Sequence, residues 1–194
     1  KLGLEFYLTF GSKGIETIQR ESGASIFLDL KLHDIPNTVK KSAGVVDHLH
    51  PRFLTVHASG GRAMVSAAVE AVTQSSITAV TVLTSLSDGD LKEIGFADST
   101  LPTAVSLAQV ATSAGARSIV CSPHEIAEIR AVIDDSVEII TPGVRPADEV
   151  GGDDQVRTMT PARAISLGAN FLVIGRPITS RWSESSAAMA ARAA

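Results

Sequence analysis

The chain has 194 residues, of which 44% are hydrophobic and 20% are charged, and its formal net charge is -4 at pH 7. The length and composition are typical of a soluble globular protein with one sizeable core, and the negative net charge disfavours a general nucleic-acid binder with a basic face. Cys121 is the only cysteine, which excludes an intramolecular disulfide and favours a reducing compartment such as the cytoplasm. No apolar span is long enough to cross a membrane and no signal-peptide pattern is present, so we expect no membrane association.

Short apolar or β-branched runs alternate along the chain with segments of helical periodicity. The predicted strands are 1–7, 25–31, 52–58, 78–85, 117–122, 137–143 and 170–176. The predicted helical segments are 15–22, 37–49, 61–72, 101–115, 123–133 and 160–169. Two longer segments remain, and we expect a surface loop with a short helix over 86–101 and a functional loop over 144–160.

Continuous apolar strands that alternate with helices predict a parallel sheet covered by helices, in a single α/β domain over residues 1–194. Seven strands are one fewer than a (β/α)8 TIM barrel requires. The chain starts at Lys1 without a methionine, so we expect that the first strand is missing and that the domain is N-terminally incomplete. An open doubly wound sheet is the alternative, but no GxGxxG motif follows the first predicted strand.

The segment FLDLKLHDIPNTV, residues 27–39, places three charged residues at the end of an apolar strand. Alternate residues of a strand face the same side, so Asp29 and Lys31 point together, and the C-terminal strand ends of a barrel face its active site. An uncompensated buried charge costs about 3–5 kcal/mol, so these charges and that of Asp34 are expected to compensate one another. Three structural alternatives stay open. Asp34 caps the helix that starts near Pro36, Asp29 and Lys31 form a structural ion pair, or the two aspartates bind magnesium.

The same stretch, DLKLHDIPNTV, resembles the signature of the orotidine 5'-monophosphate decarboxylases, which is Asp-x-Lys-x-x-Asp followed by Ile-Pro-Asn-Thr. Further segments look like the second, fourth, fifth, seventh and eighth strands of that family: KLGLEF, VHASGG, VTVLTS, TPGVRP and VIGRPIT. The resemblance implies a (β/α)8 barrel that works as a homodimer without metal or organic cofactor. It also implies the conversion of orotidine 5'-monophosphate to UMP in de novo pyrimidine biosynthesis. The family's first strand, which carries a ribose-binding aspartate, has no counterpart in this sequence.

Two other functions compete with this one. Keto-sugar-phosphate decarboxylases and hexulose-phosphate synthases share the Asp-x-Lys-x-x-Asp pattern but use magnesium. The Ile-Pro-Asn-Thr continuation and the long loop that carries Gln155 favour the nucleotide enzyme. A phosphate-binding module without turnover is the second alternative.

The resemblance also assigns roles to individual residues. It implies that Lys31 protonates C6 of the substrate and that Asp29 lies near the substrate carboxylate and holds Lys31. Lys1 would complete the charged network and contact the ribose, and Asp34 would reach across the dimer into the partner's site. The remaining substrate contacts that it implies are Ile35, Pro36, Asn37, Thr38, Thr84, Arg145, Gln155, Gly175 and Arg176.

The phosphate end of the substrate can be predicted independently of the resemblance. In many barrels the loops after strands seven and eight bind phosphate through backbone N–H groups. The chain places Gly143 and Arg145 after one late strand and Gly175 and Arg176 after the next. Glycine lets the backbone approach the phosphate, and arginine offers a fork of donors. Two surface arginines at strand ends are the alternative.

Overall fold

The structure of the protein, a computed structural model, describes residues 1–145, 159–175 and 178. The chain divides into two compact units. The first contains Lys1–Thr81 and Ser106–Ile119, and the second contains Val82–Val105 and Val120–Ala194. Helix α5 (Thr100–Ser113) begins in the second unit and ends in the first.

The first unit consists of parallel strands joined by helices. Its strands are β1 (Leu2–Gly3), β2 (Phe27–Leu32), β3 (Phe53–His57), β4 (Ser76–Val80) and the start of β5 (Ser118–Val120). The strands are neighbours in chain order, and each of the first three pairs in parallel with the next. The connecting helices are α1 (Leu4–Ser22), α2 (Pro36–Asp47) and α3 (Gly61–Ala71). Each connection is therefore a βαβ unit, as the alternation in the sequence predicts.

The core of this unit lies between the strands and the helices. Leu28 of β2 and Leu54 and Val56 of β3 are fully buried, and so is Ile15 of α1. Strands with helices packed over them bury most of their residues, which explains why they read as nearly continuous apolar runs. Each of the seven predicted strands has a counterpart in the structure, although each is shorter than its apolar run.

The prediction of a strand over residues 1–7 is wrong from residue 4 onward. Strand β1 has only two residues, and α1 begins at Leu4 after Gly3, whose backbone is extended. The alternation of a short apolar run cannot separate a strand from a helix, and here only Leu2 and Gly3 have partners on β2. The first turn of α1 carries Glu5, whose negative charge suits a helix N-terminus.

The second unit contains a pair of strands and short helices. Strands β6 (Glu138–Thr141) and β7 (Phe171–Leu172) pair in parallel, and the helices are α4 (Asp88–Glu93), α6 (Ile126–Arg130) and α7 (Pro161–Ser166). Helix α4 is the short helix that the sequence predicts within 86–101. The N–H of Cys121 donates to the carbonyl of Ile140 at 3.3 Å, which places the end of β5 beside β6. Across the described residues, no helix combines the length and the apolar character that crossing a membrane would require.

Candidate active site

The first unit brings together two lysines and one aspartate: Lys1 directly precedes β1, and Asp29 and Lys31 lie on β2. The Asp29 carboxylate accepts from Lys1 Nζ at 2.6 Å through Oδ2 and from Lys31 Nζ at 2.8 Å through Oδ1. Asp29 is only 7% exposed, whereas the lysine side chains are 38% and 32% exposed. Strand pairing sets Gly3 opposite Asp29, which brings Lys1 within reach although 28 residues separate the two in sequence. We call Lys1, Asp29 and Lys31 the charged cluster.

The electrostatics of the charged cluster favour an ionised aspartate. Burial alone raises the pKa of Asp29, because a carboxylate loses hydration. Hydrogen bonds from Lys1 and Lys31, and the positive charges of both, outweigh the burial and hold the pKa below its ordinary value. A negative charge is therefore fixed between two ammonium groups, each of which stays open to a ligand on its exposed side.

The backbone around Lys31 has an unusual conformation. Its φ angle is +50°, in the left-handed region that residues with a Cβ rarely adopt. The pairing of β2 with β3 is also irregular, because Leu28 lies opposite Leu54 and Leu32 lies opposite Val56. Residues 29–31 of β2 therefore lie opposite a single residue of β3, Thr55. This irregular pairing is a bulge in β2.

Thr55 is the residue of this site that the sequence interpretation missed. Its buried hydroxyl accepts the backbone N–H of Lys31 at 2.8 Å and donates to Asp29 Oδ1 at 3.1 Å. A threonine within a strand is a common residue, and the one signal in its favour is that a buried hydroxyl needs a hydrogen-bond partner.

Asp34 makes no hydrogen bond or ion pair with the charged cluster of its own chain in the part of the chain that the structure describes. Among the described residues, its carboxylate accepts one hydrogen bond, from the N–H of Ile35 at 2.6 Å. The alternative in which Asp34 caps α2 is wrong, because the N-cap is Ile35 and no side-chain cap is recorded there among the described residues. Residues 33–38 are all exposed, so the predicted contacts Pro36, Asn37 and Thr38 are open to a ligand or to another chain.

Two histidines lie beside the charged cluster. The His33 and His57 rings are 5.3 Å apart between centroids, with an interplanar angle of 45°. Burial lowers the pKa of His57, and the charges of His33 and Lys31 lower it further, which favours a neutral ring at pH 7. A neutral His57 adds no further positive charge next to Lys31.

The second unit carries the predicted phosphate and pyrimidine contacts that the structure describes. Arg145 is 6% exposed, and its Nη1 donates to the carbonyl of Val144 at 3.1 Å. Gly143 before it has a φ of +74°, a conformation that glycine adopts without strain. Gly175 is exposed, with open space where a Cβ would stand. Thr84 lies in a turn after β4 ends at Val80, so it is not part of a strand.

Two predicted residues, Gln155 and Arg176, lie outside the described residues. The ends of the segment that holds Gln155 are described. The Arg145 N–H donates to the Met159 carbonyl at 3.0 Å, and the Met159 N–H donates to the Gly143 carbonyl at 3.2 Å. The described residues on either side of segment 146–158 therefore pair with each other.

The charged cluster offers an acid and a fixed negative charge. An ammonium at the edge of a site can stabilise a developing negative charge and then donate a proton to it. Both oxygens of Asp29 already accept from lysines, so magnesium binding by Asp29 would require displacement of an ammonium. Within residues 1–145, 159–175 and 178, no group of three or more His, Cys, Asp or Glu side chains is arranged to hold a metal ion.

Comparisons with known proteins point to one family. The model of the orotidine 5'-phosphate decarboxylase / HUMPS family matches residues 1–191. A protein of Thermobifida fusca named orotidine 5'-phosphate decarboxylase is 50% identical over 194 residues, which are 100% of this chain and 82% of that protein. A protein of Opitutus terrae with the same name is 48% identical over 182 residues, which are 92% of this chain and 78% of that protein.

A solved structure leads to the same family. The orotidine 5'-phosphate decarboxylase of Lactobacillus acidophilus superposes with a TM-score of 0.83 at 34% identity, over 98% of this chain and 84% of that chain. The (β/α) barrel fold class predicted from the sequence is thereby confirmed, and the open doubly wound sheet is not the fold. Seven of the barrel's strands lie within the described part of the chain.

Proposed function

The chain belongs to the orotidine 5'-phosphate decarboxylase / HUMPS family, and on this premise we propose that it converts orotidine 5'-monophosphate to UMP, the decarboxylation step of pyrimidine biosynthesis. The observation that carries the proposal is the charged cluster, in which Asp29 lies between the ammonium groups of Lys1 and Lys31. This arrangement supplies what the reaction requires without an organic cofactor.

The chemistry explains why a fixed ammonium is useful. When the bond between C6 and the carboxylate breaks, CO2 leaves and the electron pair stays on C6 in the plane of the ring, where no adjacent carbonyl delocalises it. Lys31 stabilises this negative charge and then transfers a proton to C6, which gives UMP and a neutral amine that solvent reprotonates. Asp29 holds Lys31 in place and repels the substrate carboxylate, which favours departure of CO2.

A magnesium-dependent sugar-phosphate decarboxylase or hexulose-phosphate synthase is the second candidate, because the family description includes the HUMPS members. The names of the relatives at 50% and 48% identity favour the nucleotide enzyme. The hydrogen bonds of Asp29 favour it as well, since both oxygens accept from ammonium groups rather than facing an open cation site.

The proposed function can be tested by following the ultraviolet absorbance of orotidine 5'-monophosphate with EDTA present. We expect steady conversion to UMP by the wild-type protein and a loss of at least about 10³-fold in kcat for Lys31→Ala, because the proton donor is removed. Lys40→Ala is the matched control, since Lys40 is an exposed lysine of the same unit that pairs with Glu70 at 2.9 Å. Lack of conversion by the folded wild-type chain, with turnover of a sugar phosphate that requires magnesium, would establish the second candidate instead. Binding of UMP without turnover of either substrate would support a binding module.

We propose that four residues late in the chain bind the phosphate of the substrate. Arg145 is largely buried, Gly143 has a left-handed φ, and Gly175 has open space in which a ligand can approach the backbone closely. We assign the phosphate to Arg145, Gln155, Gly175 and Arg176, the pyrimidine to Thr84, and further contacts to residues 35–38. Arg145→Ala should raise KM far more than it lowers kcat, because phosphate binding is shared by the ground and transition states. A fall in kcat with unchanged KM would contradict this assignment.

We further propose that the protein is a homodimer in which Asp34 completes the site of the partner. Two observations support this. Where the structure describes the chain, Asp34 makes no hydrogen bond or ion pair with its own charged cluster, and two large apolar side chains are exposed, one next to Asp34 in sequence and one on α2. Ile35 is 65% exposed and Val45 is 62% exposed.

Mixing two inactive variants tests the dimer. If Asp34 acts across the interface, Lys31→Ala and Asp34→Ala chains refolded together should regain about a quarter of the wild-type activity, since half of the dimers are mixed and each has one complete site. Mixing that restores no activity, while light scattering shows a dimer, would place Asp34 in its own chain's site, and an Asp34→Ala variant that is active on its own would place it outside both sites.

Location and domain organisation complete the proposal. The single cysteine, buried and free, favours a reducing compartment, and we propose the cytoplasm. One family model that spans residues 1–191 supports a single barrel domain over the whole chain.

A further inference from the structure

We propose that Thr55 is a positioning residue for the reaction: its hydroxyl holds the backbone of Lys31 and the carboxylate of Asp29 in the arrangement that decarboxylation requires. The inference rests on the proposed function and deepens it by adding a residue that touches neither the reacting carbon nor the phosphate. It starts from one side chain with two hydrogen bonds into the charged cluster.

The Thr55 hydroxyl joins the two halves of the catalytic pair. It accepts the Lys31 N–H at 2.8 Å and donates its own proton to Asp29 Oδ1 at 3.1 Å. The same Oδ1 accepts from Lys31 Nζ at 2.8 Å. Backbone N–H, hydroxyl, carboxylate and ammonium therefore form a closed ring of hydrogen bonds that begins and ends on Lys31.

The bulge in β2 explains why a hydroxyl is needed at this point. A left-handed backbone costs a residue with a Cβ about 1–2 kcal/mol, so the conformation of Lys31 persists only where its surroundings hold it. In a regular parallel pair the N–H of Lys31 would meet a carbonyl of β3, but the register between Leu28 and Leu32 is shifted. Thr55 replaces that carbonyl with its side chain and satisfies a donor that would otherwise cost about 1–3 kcal/mol.

The position of the Lys31 ammonium follows from this backbone. The φ angle of +50° sets the direction in which the Lys31 side chain leaves the strand. Without the hydroxyl, Lys31 could relax toward an extended conformation and carry its ammonium away from the reacting carbon. A displacement of about 1 Å at a reacting group can cost about 10²-fold in rate.

Thr55→Val and Thr55→Ser separate positioning from packing. Valine keeps the volume and removes the hydroxyl, whereas serine keeps the hydroxyl and removes a methyl group. Thr78→Val is the matched control, because Thr78 is the partner of Thr55 in the strand register. It is also fully buried, and its hydroxyl lies 2.6 Å from Ser118 Oγ rather than on the charged cluster.

The first readout is the steady-state kinetics of orotidine 5'-monophosphate decarboxylation. We expect kcat to fall about 10- to 100-fold in Thr55→Val with KM within a factor of about three, because ligand-binding groups stay in place. Thr55→Ser should keep kcat within about threefold of the wild type, and so should Thr78→Val. A Thr55→Val variant as active as Thr78→Val, or a serine variant as impaired as valine, would overturn the inference.

The second readout does not depend on activity. Amide hydrogen exchange at Lys31 reports whether the Thr55 hydroxyl accepts a hydrogen bond from the Lys31 N–H. We expect this exchange to be at least about tenfold faster in Thr55→Val than in Thr78→Val. Unchanged exchange would refute the hydrogen-bond role even if activity fell. A wild-type protein that did not decarboxylate the substrate, but whose Lys31 amide depended on Thr55, would refute the proposed function and leave only a structural role for the threonine.

Discussion

Replacement of Asp29 by asparagine should reveal how much the charged cluster contributes to stability. Asparagine keeps the shape of the side chain but turns one oxygen acceptor into an NH2 donor that faces an ammonium group. Hydrogen bonds to charged groups contribute about 1.5–3 kcal/mol each, and Asp29 accepts two from lysines. The lysine side chains are about one-third exposed, so solvent screening reduces the sum, and we expect a loss of about 2 kcal/mol in unfolding free energy.

The assay is urea unfolding of the wild type and Asp29→Asn at a series of pH values, with melting temperatures as a second measure. For a chain of this length, a loss of about 2 kcal/mol lowers Tm by about 4–8 °C. The pKa of Asp29 is depressed in the folded state, so its contribution is present above its unfolded pKa of about 3.9 and is lost as the pH falls through the lower folded value. The difference in unfolding free energy between the two proteins should therefore be largest near neutral pH and should shrink as the pH falls below about 4.

Asp98→Asn is the control for removal of a negative charge, because Asp98 is exposed and no contact of its carboxylate is recorded among the described residues. Its unfolding free energy should stay within about 0.5 kcal/mol of the wild type. A difference between Asp29→Asn and wild type that stayed constant into the acid range would refute the assignment of this stability to the Asp29 charge. A variant more stable than the wild type would show that the desolvation of Asp29 exceeds the gain from pairing.

Three further predictions concern other sites in the chain. Asp47→Ala should lower the unfolding free energy by about 2–4 kcal/mol in urea titrations, because the Asp47 carboxylate accepts hydrogen bonds from the N–H groups of residues 73–75. A loss below about 0.5 kcal/mol would contradict this. Cys121 should react with iodoacetamide only after unfolding, since burial raises the pKa of its thiol, and rapid labelling of the native protein would contradict that. Gly115→Ala should cost about 1–2 kcal/mol, because φ is +98° and a Cβ would lie 3.2 Å from Val69. Gly44→Ala is the control, because Gly44 lies within helix α2 and a Cβ there would make only an ordinary van der Waals contact. It should be neutral or stabilising by up to about 1 kcal/mol, and equal effects of the two substitutions would refute the backbone argument.

Most elements of the fold could be predicted because their signals are local. The runs around Leu28, Leu54 and Ile139 are apolar because these strands are buried. The glycines at 23, 115 and 168 adopt the positive φ angles that are expected where helices end. The error at residues 4–7 arose because a short apolar run fits either a strand or a helix until its partners are known. The apolar run that contains Thr84 likewise continues beyond the end of β4 at Val80, and Thr84 lies in the turn that follows.

The amino-acid sequence by itself determined which chemical groups this protein presents. Alternation along a regular strand predicts that Asp29 and Lys31 face the same side, and the DLKLHDIPNTV stretch is enough to predict the family. Only the tertiary structure decided how these groups are held. Lys1 reaches Asp29 across 28 residues, and Thr55 meets Lys31 across 24, because of the register between neighbouring strands. That register, with its bulge and the left-handed Lys31, depends on how several strands and helices pack together, so no single segment encodes it.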